Sequence, residues 1–139
     1  MKALVDQVVA LETACFGDGA WSRDQVASSV GREGAVVVTV GTHAYALGHA
    51  VVDEVELYRI GVRPTARRQG LGARTLAAFE AAARHKGATT MHLEVRADNA
   101  PAIGLYIQRG MTELGRRPRY YRDGCAAVLM SVPLTDGGN

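Results

Sequence analysis

An apolar strand pattern ending at Val62 and a helical pattern from Ala73 to Lys86 are joined through Arg67-Arg68-Gln69-Gly70-Leu71-Gly72, a basic turn with two glycines. A strand that feeds through such a turn into a helix presents the first helical N–H groups, which lack intrahelical partners, together with the positive pole of the helix dipole. Glycine there lets an anion such as a pyrophosphate come within hydrogen-bonding distance of the main chain. Two common phosphate loops fail on spacing. A dinucleotide fingerprint needs a small residue where Thr75 stands, and no acidic residue follows a strand at the expected distance. A Walker loop needs lysine and then serine or threonine after Gly72, where the chain has Ala73 and Arg74. The pattern that fits is Q/R-x-x-G-x-G/A, with Arg67, Gly70 and Gly72 at its defining positions.

The rest of the chain alternates between two hydrophobic periods. Leu4, Val8, Leu11 and Cys15 make an amphipathic helical stripe that ends near Gly17-Asp18-Gly19. Ser22 and Gln25 form an S-x-x-Q capping box, with Trp21 and Val26 placed as a hydrophobic staple, so a second helix is expected to start at Ser22. Trp21 is also a candidate for lining a substrate groove. Segments 35–40, 43–52 and 55–62 read as strands of an antiparallel meander. The helix after the loop puts Gly72, Leu76, Phe79 and Ala83 on one face and stops at Gly87, where His85 and Lys86 meet the negative pole of the dipole. Segment 89–96 reads as a strand, Asp98 or Asn99 as the cap of a short helix reaching Arg109 with Gly110 as its stop, and segments 111–116 and 125–134 as closing strands. The expected fold is α/β, a mixed and mostly antiparallel sheet flanked by helices. It forms one domain over residues 1–134 with a loose tail over 135–139.

Sixteen Lys and Arg against 14 Asp and Glu leave a net charge of +2, which makes no general case for nucleic-acid binding. The basic residues cluster instead. Arg63, Arg67 and Arg68 flank the loop, and Arg116, Arg117, Arg119 and Arg122 form a second group that either steers an acidic ligand or is solvated surface. Cys15 and Cys125 lack a C-x-x-C partner, and neither a signal peptide nor a bilayer-spanning apolar run is evident, so a reduced cytoplasm is the expected compartment, with no membrane partner. His43, His49, His85 and His92 show no metal-ligand spacing, and no metal is expected.

The loop resembles the acyl-CoA pyrophosphate loop of the GNAT acetyltransferases. Glu56-Leu57-Tyr58-Arg59-Ile60-Gly61-Val62-Arg63-Pro64 before it, and Leu93-Glu94-Val95-Arg96-Ala97-Asp98-Asn99-Ala100-Pro101-Ala102-Ile103-Gly104-Leu105-Tyr106 after it, resemble the matching segments of that family. The second block is most similar to the RimI-type branch, whose members acetylate protein N-termini, and the resemblance runs with few gaps from Trp21 to Pro133. Two departures stand out. Related chains usually open with a strand before the first helix, whereas helical residues here follow Met1 almost at once; the first strand is expected to be lacking or trimmed. Met111 stands where the family commonly has phenylalanine and fills similar apolar space.

The resemblance implies acetyl-CoA as cosubstrate, inserted where two strands of the sheet splay apart. The pantetheine arm would pair with the edge of Ile60, Gly61 and Val62, a backbone N–H at Gly61 or Val62 would meet the thioester carbonyl, and Arg67, Arg68, Gln69, Gly70, Leu71 and Gly72 would hold the pyrophosphate. Asn99 would both cap its helix and contact CoA. Glu94 would serve as general base, directly or through a water, and Tyr106 would donate a proton to the CoA thiolate. From the residues alone, Glu94 reads rather as a solvated or salt-bridged strand glutamate, with Arg96 as one available partner, and Tyr106 as a core ring with one hydroxyl partner, a placement compatible with proton donation.

Tyr58, Tyr120 and Tyr121 are candidates for closing a groove over the acceptor, although aromatic packing in a hairpin accounts for the Tyr120-Tyr121 pair as well. An α-amine titrates near about 8 and a lysine near about 10.4, so an N-terminal acceptor asks less of a base. The acceptor implied is a protein N-terminus, small-subunit ribosomal protein eighteen in the RimI-type branch, with the enzyme a monomer or weak dimer. Acetylation of a small amine or lysine, and a non-catalytic acyl-CoA sensor, stay open as alternatives.

Overall fold

Side chains alternate along β1 (Ala35–Val40), where Val36 and Val38 pack into one apolar cluster and Val37 into another. That alternation places an apolar layer on each face of a six-stranded sheet. The structure is a computed structural model that describes residues 1–134, so the tail expected over 135–139 lies outside the described residues.

One face is covered by α1 (Lys2–Phe16) and α2 (Arg23–Gly31), whose Val5, Val8, Leu11, Val26 and Val30 pack against Tyr45 and Leu47 of β2 (Ala44–Val51). The capping box forms at α2: Gln25 N–H donates to Ser22 Oγ (3.2 Å) and Ser22 N–H to Gln25 Oε1 (2.8 Å). Trp21 packs on the same cluster as Val26, as a staple does. No strand precedes α1 among the described residues.

The other face is covered by α3 (Leu71–His85) and α4 (Ala100–Arg109). Leu76, Phe79 and Ala83 of α3 are fully buried, and burying a side chain such as Phe79 contributes roughly 2–3 kcal/mol. α3 starts two residues before the periodic pattern, so Gly72 lies in its first helical turn and not in the loop. Gly87 (φ 94°) and Gly110 (φ 100°) adopt the left-handed conformation after α3 and α4, and these stops were legible in the sequence.

The remaining strands are β3 (Glu54–Val62), β4 (Thr90–Arg96), β5 (Thr112–Arg117) and β6 (Ala127–Pro133), and the spatial order is β1-β2-β3-β4-β6-β5. β1, β2 and β3 form the expected antiparallel meander, and β3–β4 is the parallel pair. Against the periodicity, residues 43, 52, 89, 111, 125, 126 and 134 fall outside the strands, while 54 and 117 extend them.

Two irregularities in β3 shape the molecule. Its register with β2 shifts, with Leu47 opposite Arg59 and Gly48 opposite Leu57, leaving Tyr58 as the extra residue of a β-bulge. Leu57 and Ile60 therefore face the same α3-side cluster, which strict alternation forbids, while Arg59 turns toward α1. Gly48 makes this packing feasible: a Cβ there would fall 2.1 Å from the Glu56 carbonyl oxygen and 2.6 Å from Phe79 Cζ. On its other side β3 pairs with β4 only from Glu54–Thr90 to Leu57–Leu93, beyond which the strands part.

Candidate active site

The parting of β3 and β4 opens a gap through the sheet. Ile60, Gly61 and Val62 remain bonded to β2, opposite Ala46, Tyr45 and Ala44, and have no strand partner on their β4 side among the described residues. Across the gap, Glu94, Val95 and Arg96 pair with β6 alone. Gly61 is closely surrounded, since a Cβ there would lie 3.0 Å from both Cys15 Sγ and Tyr45 Cε1, so glycine lets the end of α1 rest on the strand.

At one end of the gap is the basic loop. After a single 3-10 turn (Pro64–Ala66), Arg67 Nε–H donates back to the Val62 carbonyl at 3.0 Å, tying the loop to the end of β3. Arg68 (φ 65°) and Gly70 (φ 75°) are both left-handed, and Gly70 is the N-cap of α3 with no side-chain cap. Arg74 is the first helical residue whose N–H finds a backbone acceptor, at Gly70, and the amides of residues 68 to 73 have no backbone partner among the described residues. These donors sit at the positive pole of a 15-residue helix, flanked by Arg67 and Arg68, and so suit a pyrophosphate. A Cβ at Gly72 would meet only Leu105 of α4, at 3.6 Å, so its side chain is not excluded by packing.

On the α1–α2 face, Met91, Leu93 and Val95 point into the opposite core, leaving His92, Glu94 and Arg96 together, as the alternation predicted. Glu94 is half-buried, and its partner is Arg117, whose Nε stands 3.2 Å from Glu94 Oε1. Arg96, the partner considered in the alternative reading, is turned instead to Asp98 and Asp123, at 3.0 and 2.5 Å, because the turn after β4 and the β5–β6 connection bring the two carboxylates to its guanidinium. Glu94 and Tyr58 line one open cleft of about 340 Å³.

Tyr120 and Tyr121 lie in the β5–β6 connection in edge contact, with centroids 5.2 Å apart, Arg117 over Tyr120 and Arg96 over Tyr121. Burial, followed by the charge of Glu94, raises the Tyr121 pKa. The second basic group is therefore partly occupied: Arg117 by Glu94, and Arg116 by Glu113 at 3.0 Å.

Tyr106 stands on the opposite face. Its ring belongs to the α3-side core with Leu93 and Val95, and burial alone pushes its pKa up to about 12. Glu94 and Tyr106 thus lie on opposite faces of the sheet. Asn99 caps α4, its Oδ1 accepting from Ala102 N–H at 3.2 Å, which fixes the helix carrying Tyr106 directly after β4.

Trp21 does not line the Glu94 cleft; it stands in the α1–α2 connection, 5.1 Å beneath the Arg59 guanidinium. Arg59 belongs to a buried network that periodicity could not reveal. Glu12, fully buried on α1, accepts from Arg59 Nε (3.1 Å) and Nη2 (2.9 Å), from Trp21 N–H (2.7 Å) and from the Tyr45 hydroxyl, while Arg59 also reaches the Gly19 carbonyl at 3.1 Å. Burial favours the neutral acid at Glu12, but hydrogen bonds from Arg59, Tyr45 and Trp21 outweigh it and lower the pKa. The network fastens the α1–α2 connection to β3 one residue past the Tyr58 bulge. Its one sequence signal was a glutamate on the apolar side of an amphipathic helix.

Among the described residues there is no group of side chains suited to a metal ion, and no helix long and apolar enough to cross a membrane.

Comparisons with known proteins converge on one family. The [ribosomal protein bS18]-alanine N-acetyltransferase of Escherichia coli K12 is 40% identical over 95 residues, which is 66% of this chain and 64% of that protein, so the chain spans less than two thirds of its relative's length. The crystal structure of the ribosomal-protein-S18-alanine N-acetyltransferase from Escherichia coli superposes with a TM-score of 0.83 at 32% identity, covering 97% of this chain and 90% of that one. The Salmonella typhimurium protein yncA, solved with its cofactor acetyl-CoA, shares the fold at 21% identity, with a TM-score of 0.72 over 97% of this chain and 88% of that one. The model of the acetyltransferase (GNAT) family matches residues 12–111, a span that takes in the loop, both strands bordering the gap and the helix that carries Tyr106. The chain belongs to the GNAT acetyltransferase family.

Proposed function

We propose that this protein moves the acetyl group of acetyl-CoA onto the N-terminal α-amine of a protein, with small-subunit ribosomal protein bS18, named for its relatives, as the leading acceptor. One relationship supports the reading: β3 and β4 part after Leu57 and Leu93, with the carboxylate Glu94 on one face of the sheet and the phenol Tyr106 in the core on the other.

Acetyl-CoA supplies an acyl carbon activated as a thioester. The free amides of residues 68 to 73 hold its pyrophosphate, and the unpaired edge of Ile60, Gly61 and Val62 holds its pantetheine arm. A main-chain N–H at Gly61 or Val62 donates to the carbonyl oxygen as charge develops there; such a fixed donor stabilises an oxyanion without reorganising. Glu94 takes a proton from the acceptor ammonium, directly or through a water, and its bond to Arg117 keeps the carboxylate oriented toward the cleft. Tyr106, a phenol that is protonated at neutral pH and held so by burial, gives its proton to the departing thiolate. Tyr58 from the bulge lines the cleft, and the Tyr120-Tyr121 pair of the β5–β6 connection is taken to close over the acceptor in this reading.

The test is a CoA-release assay with acetyl-CoA and peptides whose N-termini are free or blocked, with mass spectrometry locating the acetyl group. The expected result is acetylation of the free α-amine and none of a blocked, lysine-containing peptide. Acetyl on lysine alone, or CoA binding without acetylation of any peptide, overturns the reading.

A further inference from the structure

The cleft that holds Glu94 extends beyond it along the sheet, toward the ends of β3 and β4 where the two strands are paired. Its floor there is a row of three residues on adjacent strands: His49 on β2, Glu56 on β3 and His92 on β4, with Glu56 in register with both histidines. Both imidazoles are engaged away from Glu56. His49 Nε2 lies 2.8 Å from the Glu33 carbonyl oxygen and His92 Nε2 lies 2.5 Å from Glu54 Oε1. Of the three carboxylates lining the cleft, Glu94 is paired with Arg117 and Glu54 with His92, whereas Glu56 has no ion-pair partner among the described residues. Val51, Leu114 and Leu129 are apolar lining of the same cleft, Leu129 standing opposite Glu94 on β6.

Resting on the proposed N-terminal acetyl transfer, we infer that Glu56 is a specificity-determining residue that selects acceptors with an arginine or lysine at the second or third position. Distances favour this. Glu56 and Glu94 are one strand apart and offset by two residues, since Glu56 faces His92; strand geometry puts their Cα atoms roughly 8 Å apart. With the acceptor amine at Glu94, the next Cα of an extended peptide lies about 4–5 Å further on, and a long cationic side chain spans the rest. Its methylenes lie on the apolar wall while its charged head meets an unpaired carboxylate. A neutral side chain leaves Glu56 solvated, and an acidic one is repelled.

The experiment measures kcat/KM on peptides that begin with alanine and carry Arg, Gln or Glu at position two, and again at position three, for the wild type and for Glu56→Gln and Glu56→Lys. The wild type is expected to favour Arg over Gln by roughly five- to tenfold at one of these positions, the range of a partly exposed charge-assisted contact. In Glu56→Gln that ratio collapses toward one, and in Glu56→Lys the order reverses so that Glu exceeds Arg. Because each variant is judged by a ratio between peptides, a general loss of activity does not imitate the result. No preference in the wild type, or the same preference in Glu56→Gln, overturns the assignment while leaving N-terminal acetylation intact. Failure to acetylate any of these α-amines sinks the underlying reading instead.

Discussion

Arg117 reaches Glu94 from two strands away, Nε to Oε1 at 3.2 Å, with β6 lying between β4 and β5. Because the pair spans three strands, the carboxylate is oriented by the sheet and not by its own flexible stem. A base held this way loses its chemistry, not its place, when only the charge is removed. Glu94→Gln is expected to lower kcat by roughly 10²- to 10⁴-fold with CoA affinity unchanged. Calorimetric CoA titration beside steady-state assays separates the two effects, and an active Glu94→Gln enzyme rules this base out.

Tyr106 carries a pH signature of its own. Burial raises its pKa to about 12, so the folded state favours the protonated phenol. The stabilisation is complete below the unfolded value of about 10 and is lost as pH rises toward 12. Ultraviolet difference titration of wild type against Tyr106→Phe is expected to show one phenol ionising near 12. The same variant should lose roughly 10²-fold in kcat. Ionisation near the ordinary value would mean that the ring is not buried as described.

Much of this arrangement was legible in the sequence because it is local. The capping box at Ser22 and Gln25, the Asn99 cap, the stops at Gly87 and Gly110 and the glycine-containing loop each lie within a few residues and follow backbone geometry. The face shared by His92, Glu94 and Arg96 follows from a period of two. What escaped the sequence was long-range or out of period. The bulge at Tyr58 reverses the alternation in β3, so Arg59 could not be assigned to the α1 side by counting. Glu94 found Arg117 and not Arg96 because pairing depends on which strands become neighbours. Glu12, Tyr45 and Arg59 come from three elements far apart in the chain.

That buried network has a clear energetic consequence. Removing the charge of Glu12 leaves the Arg59 guanidinium without its main partner in a largely buried setting, a loss of about 3–5 kcal/mol in comparable pairs. Glu12→Gln is expected to shift the urea midpoint accordingly. Replacing both Glu12 and Arg59 by leucine should cost less than the single change, since no orphaned charge remains. The lowered pKa of Glu12 adds an acid limb: its stabilisation is present above the ordinary value of 4.5 and is lost as pH falls through the lower folded value. Additive costs in the double variant would show that the two side chains are energetically independent.

The two loop glycines separate folding from cofactor binding. Gly70 is left-handed, with open space around its Cα, so Gly70→Ala meets no neighbour and costs about 1 kcal/mol through backbone strain alone. Gly72 has helical geometry and only an ordinary contact with Leu105 at 3.6 Å awaiting a methyl group, so Gly72→Ala should leave stability unchanged or slightly raised, since alanine is the better helix former. If the amides of residues 68 to 73 do receive a pyrophosphate, the methyl at position 72 stands between the anion and the helix start, and CoA dissociation constants should rise tenfold or more, by order of magnitude, in a variant that melts no lower than the wild type. Thermal melts without ligand, paired with CoA titrations, provide both numbers. Unchanged CoA affinity in Gly72→Ala would move the pyrophosphate away from the first turn of α3.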